Sequence, residues 1–363
     1  MTRSAAPPGG VLLGVDDPDQ MAAVDDPDQM AAVATARSAA VDVSLVPAAQ
    51  VNPQTHPNLI TALHAASPTA VLAVGEPFAA EASLDWKIRT AVSGAQLPGG
   101  GQTLFPDRHF VALYGTPGSP VLGVLGEQPI AESIVRAQQT AAAYSPLSDR
   151  PVIALHEIIA TVAATVAAAE AGPDGNYSSE ISAEQLRPWV EAAGAAGLYV
   201  VLDLQPGRSD SLSQAQQYES LLVLPYVGPA LDPEWRLGPD QRHLAQIGGV
   251  TAEEINTVTT WLADLTAQQR LPQKLLVVHQ FRASMIANRE SLNTTRPELA
   301  ILLHVDGLGA QPDKQSTWAA LHADAPAGIA WGWKNFYDED IPVLSPEQTM
   351  AQVAPTPDLV TYQ

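Results

Sequence analysis

The sequence contains no cysteine, which excludes disulfide bonds, thiolate metal ligands and cysteine nucleophiles. Basic residues are also scarce, because 18 Lys and Arg stand against 39 Asp and Glu and the net charge is −21. Nucleic acids and anionic membranes are bound through clustered basic side chains, so this balance argues against both as partners. The sequence has no run of about 18 apolar residues and therefore predicts no transmembrane segment.

The composition is that of a folded protein with a large core. Apolar residues make up 46% of the 363 residues and charged residues only 16%. Residues 1–10, MTRSAAPPGG, have the composition of a linker and lack the charged and then apolar pattern of a secretory leader. We expect an extracellular or cell-envelope protein whose leader has been removed, with a cytoplasmic location as the alternative.

The nonapeptide VDDPDQMAA occurs twice in succession, at residues 15–23 and 24–32. Two copies are too few for a solenoid, which needs at least about three units to bury a shared core. A calcium loop would need alternating oxygen ligands and a turn glycine, which this segment does not supply. We interpret the repeat as a local duplication where a loop meets a helix.

Residues 11–100 are predicted to form a small α/β domain on a parallel sheet, followed by a linker at 97–106. Apolar runs alternate there with alanine-rich helical stretches near 29–40 and 58–66, as in a strand–helix–strand unit. The runs are Val11–Val15, Val41–Val46 and Ala70–Val74. No glycine-rich phosphate loop follows them, so we predict no nucleotide site.

Residues 107–363 are predicted to form a (β/α)8 TIM-like barrel. Eight apolar runs recur there, with amphipathic helical segments such as Ala183–Ala196 and Ala252–Gln268 between most of them. The runs are Phe110–Tyr114, Val152–Leu155, Leu198–Leu204, Val227–Leu231, Leu275–Val278, Ile301–Val305, Gly328–Trp331 and Leu359–Tyr362. Their number and spacing match the size of such a barrel, and an open doubly wound sheet is the alternative.

Polar side chains follow most of these runs, where a barrel carries its active site. They are Glu157 after the second run, Asp203 and Arg208 after the third, Asp232, Glu234 and Trp235 after the fourth, His279 and Gln280 after the fifth, His304 and Asp306 after the sixth, and Trp333 and Lys334 after the seventh. Buried carboxylates are unfavourable unless they are paired, so their convergence on one barrel mouth indicates a site.

Each of these side chains also has a structural interpretation. Asp203 could cap a helix or pair with Arg208, and Asp306 could form a turn with Gly307. Glu157 lies in a run rich in Ala, Ile and Val that could already be helical, so a paired structural role is as open for it as a catalytic one. The histidines could be core residues with satisfied hydrogen bonds, and the tryptophans could only fill the core.

The segment Leu231–Arg236 supplies the catalytic hypothesis, because it holds two carboxylates, a tryptophan and an arginine. We assign Glu234 as a general acid, since Trp235 and an apolar wall would raise its pKa. The partner carboxylate is Asp203 or Asp306. The remaining candidates are expected to contact substrate, with Trp235 and Trp333 stacking on a sugar ring; these are Asp232, Arg208, Glu157, His279, Gln280, His304 and Lys334.

The glutamate after the fourth strand is similar to the acid/base position of the large clan of TIM-barrel glycosidases, and to that of chitinase-like barrels. The seventh strand, GIAWGWKNFYDED, has no glutamate at its end, Glu339 comes too late, and the chitinase-like DxxDxDxE is absent. The second carboxylate of those families is therefore not carried over.

The blocks LDLQPGR, ALDPEWRL, LPQKLLVVHQF and GWKNFYDED resemble an uncharacterised barrel family of actinobacterial envelope proteins. Residues 11–100 resemble half of a cell-wall-binding repeat of Gram-positive surface proteins. These resemblances imply a secreted protein or lipoprotein, and with the carboxylates they favour a glycoside hydrolase acting on a cell-wall or extracellular polysaccharide.

Two alternatives remain for the function. The first is a non-catalytic barrel that binds carbohydrate at the cell wall. The second is a metal-dependent hydrolase, since amidohydrolase-type barrels hold metals with histidines after strands five and six, where His279 and His304 fall. Those barrels also need an HxH after the first strand, which here ends in Leu113-Tyr114-Gly115, so we predict no metal and no other cofactor. The GxSxG motif of serine hydrolases is absent as well.

Overall fold

The computed structural model describes residues 9–16, 27–162, 171 and 175–363. The chain divides into two compact units, Met1–Thr103 with Arg270–Pro272, and Leu104–Gln269 with Gln273–Gln363. Much of the duplicated VDDPDQMAA segment and most of the predicted N-terminal linker lie outside the described residues. Within the part of the chain that is described, no helix is both long and apolar enough to cross a membrane.

The first unit is built on a three-stranded parallel sheet with the order β2-β1-β3, as the alternating pattern predicts. Helix α2 turns Leu59, Ile60 and Leu63 toward a core that also holds Leu13 and Phe78. The elements are β1 (Val11–Asp16), α1 (Pro27–Ser38), β2 (Asp42–Pro47), α2 (Pro57–Ala66), β3 (Val71–Ala73), α3 (Glu76–Ala80) and α4 (Leu84–Ser93).

The second unit contains eight long strands and the helices between them. The strands are β4 (His109–Gly115), β5 (Val152–Val162), β7 (Tyr199–Leu204), β8 (Val227–Leu231), β10 (Lys274–His279), β12 (Leu299–Val305), β13 (Ala330–Asn335) and β14 (Leu359–Tyr362), with short strands β6 (Ser179–Glu180), β9 (Val250–Thr251) and β11 (Ile286–Ala287). The helices are α5 (Ile130–Ala142), α6 (Ala183–Ala195), α7 (Ser211–Gln216), α8 (Glu219–Leu222), α9 (Ala252–Gln268), α10 (Gln311–His322) and α11 (Pro346–Gln352).

These eight strands form a closed, all-parallel barrel. Each strand pairs with the next in the order β4-β14-β13-β12-β10-β8-β7-β5, and β5 returns to pair with β4. The predicted (β/α)8 fold is therefore confirmed, and the open doubly wound sheet is excluded. All eight carboxyl ends lie at the same mouth of the barrel, where a fold of this kind carries its active site.

Successive side chains of a strand point to opposite sides of the barrel wall. On β10, Leu276 and Val278 belong to the apolar layer between wall and helices, whereas His279 faces the interior. On β13, Trp333 belongs to the same outer layer and packs on Trp318 of α10, whereas Lys334 faces inward. One side of each strand thus builds the core and the other delivers the polar residues of the mouth.

Strand β5 runs further than the apolar run that predicted it. The run ends at Leu155, but the strand continues to Val162 and pairs along its length with β4 and β7. Glu157 is therefore in the middle of a strand, and the idea that it lies in a helix is wrong. Strand β13 is shifted in the same direction, since it begins at Ala330 rather than Gly328.

Strand β8 lies very close to the backbone of β10 at Gly228. A Cβ atom added there would lie 2.1 Å from the carbonyl oxygen of Leu275, and the amide of Leu275 donates a hydrogen bond to Tyr199 Oη at 3.1 Å. The Leu275 backbone therefore cannot move aside without losing that bond. Only a residue without a side chain fits at Gly228.

We expect the substitution Gly228→Ala to destabilise the barrel by roughly 1–3 kcal/mol, because a backbone atom would have to shift. Urea denaturation measures the effect. The control is Gly238→Ala, whose added Cβ would meet nothing closer than the flexible Gln241 side chain at 3.4 Å. Equal stability of the two variants would contradict this account of the wall.

Candidate functional site

A cavity of about 520 Å³ opens at the carboxyl ends of the barrel strands. Its lining includes five of the predicted site residues, which are Asp232, Glu234, Trp235, Asp306 and Lys334, and also Tyr114. These side chains come from β4, β12, β13 and the loop after β8. The convergence expected from the strand ends is therefore present in the structure.

His279 lies at the centre of the polar cluster beneath this cavity and contacts carboxylates from three other strands. Its Nδ1 is 2.9 Å from Asp306 Oδ2, and its Nε2 is 3.1 Å from Glu157 Oε1 and 3.6 Å from Asp203 Oδ1. Burial alone would lower the pKa of His279, but the negative charges of Asp203 and Asp306 outweigh it and raise that pKa well above its usual range.

Glu157 and His304 form the deepest part of the cluster. Glu157 Oε2 accepts a hydrogen bond from Thr361 at 3.2 Å, and Oε1 is 3.6 Å from His304 Nδ1. Burial would raise the pKa of Glu157, but the nearby imidazoles of His304 and His279 hold it well below its usual range. Burial lowers the pKa of His304. Neither ring nitrogen of His304 has a hydrogen-bond partner among the residues that the structure describes.

Tyr114 and Asp203 link β4 to β7 across the barrel interior. The Tyr114 hydroxyl donates a 2.7 Å hydrogen bond to Asp203 Oδ2, and Lys334 Nζ lies 3.5 Å from the centre of the Tyr114 ring. Burial raises the pKa of Asp203, against the opposing charge of His279. Sequence reasoning missed Tyr114, because a tyrosine that ends an apolar run looks like a core residue. Its inward position follows only from the two-residue period of β4.

The loop after β8 places two carboxylates in different surroundings. Residues Pro233–Trp235 form one 3-10 turn, which leaves Asp232 fully buried and Glu234 partly exposed. Burial and the neighbouring Glu234 raise the pKa of Asp232 well above its usual range. Burial, and then the charge of Asp306, raise the pKa of Glu234 to about 7. Glu234 thus has the raised pKa that its assignment as an acid requires.

The structural interpretation of Asp203, as a helix cap or a partner of Arg208, is wrong, whereas a paired structural role for Glu157 stays open. Arg236 pairs with Glu254 at 3.0 Å, and Glu234 forms no ion pair with it or with Arg208. Asp210, and not Asp203, caps the helix that follows β7. Asp306 contacts His279 and also lines the cavity. It therefore does more than form a turn with Gly307.

Six of the predicted substrate contacts do not line the cavity: Glu157, His279 and His304 lie in the cluster beneath it, and Arg208, Gln280 and Trp333 lie outside that cluster as well. Trp333 and Gln280 each adjoin an inward-facing residue and therefore point outward. Trp333 is fully buried and packs against Trp318. Gln280 accepts a hydrogen bond from Arg289. Arg208 packs over the Tyr177 ring at 4.6 Å. The expected stacking of Trp333 on a sugar ring does not fit this position, whereas Trp235 does line the cavity.

Comparisons with known proteins leave the chain without a family. No family model matches it, and no curated protein does. One solved structure that matches is a radical S-adenosylmethionine methyltransferase, TsrM, from Kitasatospora setae, determined with a tryptophan substrate and a SAM analogue. The identity is 12%, the match covers 89% of this chain and 72% of that chain, and the TM-score is 0.22. A likeness this weak carries no argument about this chain.

The raised pKa of Glu234 predicts a pH-dependent effect on stability. The folded-state pKa of Glu234, about 7, is higher than the pKa of an exposed glutamate. Between about pH 4.5 and 7 the folded protein therefore holds a proton that unfolding releases. As the pH rises through that window, the folded state loses stability. We expect Glu234→Gln to stabilise the protein at pH 8 by about 1–2 kcal/mol, after allowance for partial exposure, and to have little effect at pH 4.5.

Urea titrations at the two pH values measure this difference. Glu339→Gln is the matched control, because Glu339 is exposed and lies outside the cavity. If Glu234→Gln and the control showed the same pH dependence, Glu234 would have an ordinary pKa and would not be held as an acid at neutral pH.

Proposed function

We propose that the barrel is a glycoside hydrolase-like enzyme that acts on a cell-wall or extracellular polysaccharide, with Glu234 as the general acid and Asp306 as the second carboxylate. The observation that carries the proposal is the presence of both carboxyl groups on the wall of one open cavity, next to Trp235. Glycosidases use such a pair on either side of the bond that they cleave.

The accessibility of the two candidate partners favours Asp306 over Asp203. Asp306 lines the cavity, and its Oδ1 has no hydrogen-bond partner while Oδ2 is held by His279. Asp203 is fully buried, does not line the cavity and accepts the hydroxyl of Tyr114. Asp306 can therefore face a substrate, whereas Asp203 supports the residues around it.

The two carboxyl groups also differ in the way that the chemistry requires. Burial and the charge of Asp306 keep Glu234 protonated up to about pH 7, so that it can give a proton to the leaving oxygen. As that C–O bond breaks, Asp306 faces the positive charge that develops at the anomeric carbon. Water then supplies the hydroxyl of the new reducing end, and its proton replaces the one that Glu234 gave up.

The surroundings of the pair suit a neutral or weakly charged sugar. Trp235 offers an aromatic surface beside Glu234, and Lys334 and Arg282 supply donors for hydroxyl groups along the same cavity. The chain carries a net charge of −21, which disfavours strongly acidic polymers as substrates.

Hydrolysis assays on purified wall glycans and on aryl glycosides test the proposal. We expect Glu234→Gln to lower the rate on natural glycans by about 10²–10⁴-fold, because the leaving group would no longer be protonated. The loss should be much smaller on aryl glycosides with acidic phenols, which leave without a proton. Asp306→Asn should lower the rate on both substrate classes, and the control Glu339→Gln should leave it unchanged.

If the wild-type protein were inert on every wall glycan, the proposal that it is an enzyme would be overturned. If it bound those glycans without cleaving them, the non-catalytic carbohydrate-binding barrel would be the better description. Full activity of Glu234→Gln on natural glycans would overturn the assignment of the acid.

The pH profile of the wild type gives a further prediction. Because Glu234 must be protonated, kcat/KM should fall as the pH rises through about 7. The charges of Asp306, Lys334, His279 and Asp203 also act on the pKa of Glu234; Asp232 and Arg282 are the other ionisable side chains beside it on the cavity wall. The same pH profile is measured for Glu234→Gln on an aryl glycoside. If the fall of kcat/KM at high pH disappears in this variant, the titrating group is Glu234. If the fall persists, another group causes it.

A further inference from the structure

Glu157, His279 and His304 bring three metal-ligating atoms together beneath the cavity. One oxygen or nitrogen atom of each side chain lies within 4.8 Å of the corresponding atoms of the other two, and all three residues are fully buried. They come from β5, β10 and β12, three strands whose carboxyl ends meet at the barrel mouth. The proposed hydrolysis uses none of these atoms directly.

Among the described residues, the atoms that face one another in this cluster have no hydrogen-bond partner outside it. Glu157 Oε1, His279 Nε2 and His304 Nδ1 are all buried, and the first two are 3.1 Å apart, which makes an ion pair when the imidazole is protonated. Buried polar atoms are unfavourable unless they are paired, and one ion bound between the three would satisfy them together.

Two of the three separations are close to those between ligands of a single metal ion. Imidazole and carboxylate ligands about 2.0–2.2 Å from a tetrahedral metal are about 3.3–3.6 Å from one another. Glu157 Oε1 lies 3.1 Å from His279 Nε2 and 3.6 Å from His304 Nδ1. A small adjustment of side chains would place all three around one ion, with loss of the proton from His279 Nε2, because a histidine ligand must be neutral.

Two of the three side chains also have a polar contact on the atom that faces away from the cluster, as metal ligands commonly do. Asp306 Oδ2 lies 2.9 Å from His279 Nδ1, which leaves Nε2 directed at the cluster. Thr361 donates to Glu157 Oε2, which leaves Oε1 free to bind. Carboxylate–histidine–metal arrangements of this kind orient the imidazole and strengthen its binding.

We infer that Glu157, His279 and His304 form a binding site for one divalent transition metal at the floor of the cavity. Two imidazole nitrogens and one carboxylate oxygen are a donor set for Zn²⁺ or Fe²⁺, and not for Ca²⁺ or Mg²⁺, which prefer oxygen alone. None of the three ligands lines the cavity, so the metal would influence the reaction through Asp306, which contacts both His279 and the cavity.

Metal titration of the whole chain tests this site. After treatment with a chelator and its removal, the protein should bind one equivalent of Zn²⁺ by calorimetry and one of Co²⁺ by visible absorption, with a rise in Tm through linkage. Glu157→Gln and His304→Gln should each weaken binding by at least about 10-fold, and Asp306→Asn by about 10–100-fold, since it removes the group behind His279.

His322→Gln is the control, because His322 is stacked on Trp331 outside the cluster and should bind the metal as the wild type does. Circular dichroism with chelator present shows whether each variant folds, and the wild-type titration needs no variant. Absence of stoichiometric Zn²⁺ and Co²⁺ binding by the wild type, equal binding of Mg²⁺, or unchanged affinity in His304→Gln would each overturn the site. These measurements use no glycan, so their outcome is separate from that of the hydrolysis assays.

Discussion

The contacts of His279 are the constraint on which the rest of the site depends. One imidazole approaches Glu157, Asp203 and Asp306 within 3.6 Å, and each of these carboxylates lies on a different strand. Like charges this close would repel one another in a buried space, so the position of the ring determines whether the strand ends can converge at all. Tyr114 and Thr361 each donate a hydrogen bond to one of these carboxylates, and Lys334 lies over the Tyr114 ring.

The site separates into two levels with different environments. At the upper level, Glu234 and Asp306 face an open cavity and are suited to proton transfer and to stabilising positive charge. At the lower level, Glu157, His279 and His304 are closed off from solvent and are suited to holding an ion. Asp306 belongs to both levels, because one of its oxygens contacts His279 and the other is unpartnered.

Much of the fold could be predicted from the sequence, because strands and helices of this barrel have distinct apolar periods. The run Val227–Leu231 and the helix Ala252–Gln268 match the structure at both ends. The run around Glu157 could not be assigned, since Ala, Ile and Val in succession fit a buried strand and a helix equally well. Convergence of the carboxylates on one mouth followed from the fold alone.

The finer assignments needed information that one strand at a time does not contain. Which of Trp333 and Lys334 points inward depends on where β13 begins, and a shift of one residue exchanges their sides. The approach of Glu157 to His279 and His304 joins residues from three strands that are far apart in sequence. For the same reason Tyr114 gave no signal, although its hydroxyl is bonded to Asp203.

The position of β14 in the barrel has a consequence for the order of folding. Leu359–Tyr362 is the last strand in the chain, yet it pairs with both β13 and β4, the first strand of the barrel. Thr361, which holds Glu157, lies on it as well. Until these few residues emerge during synthesis, β13 and β4 each keep an unpaired edge, and such edges favour aggregation.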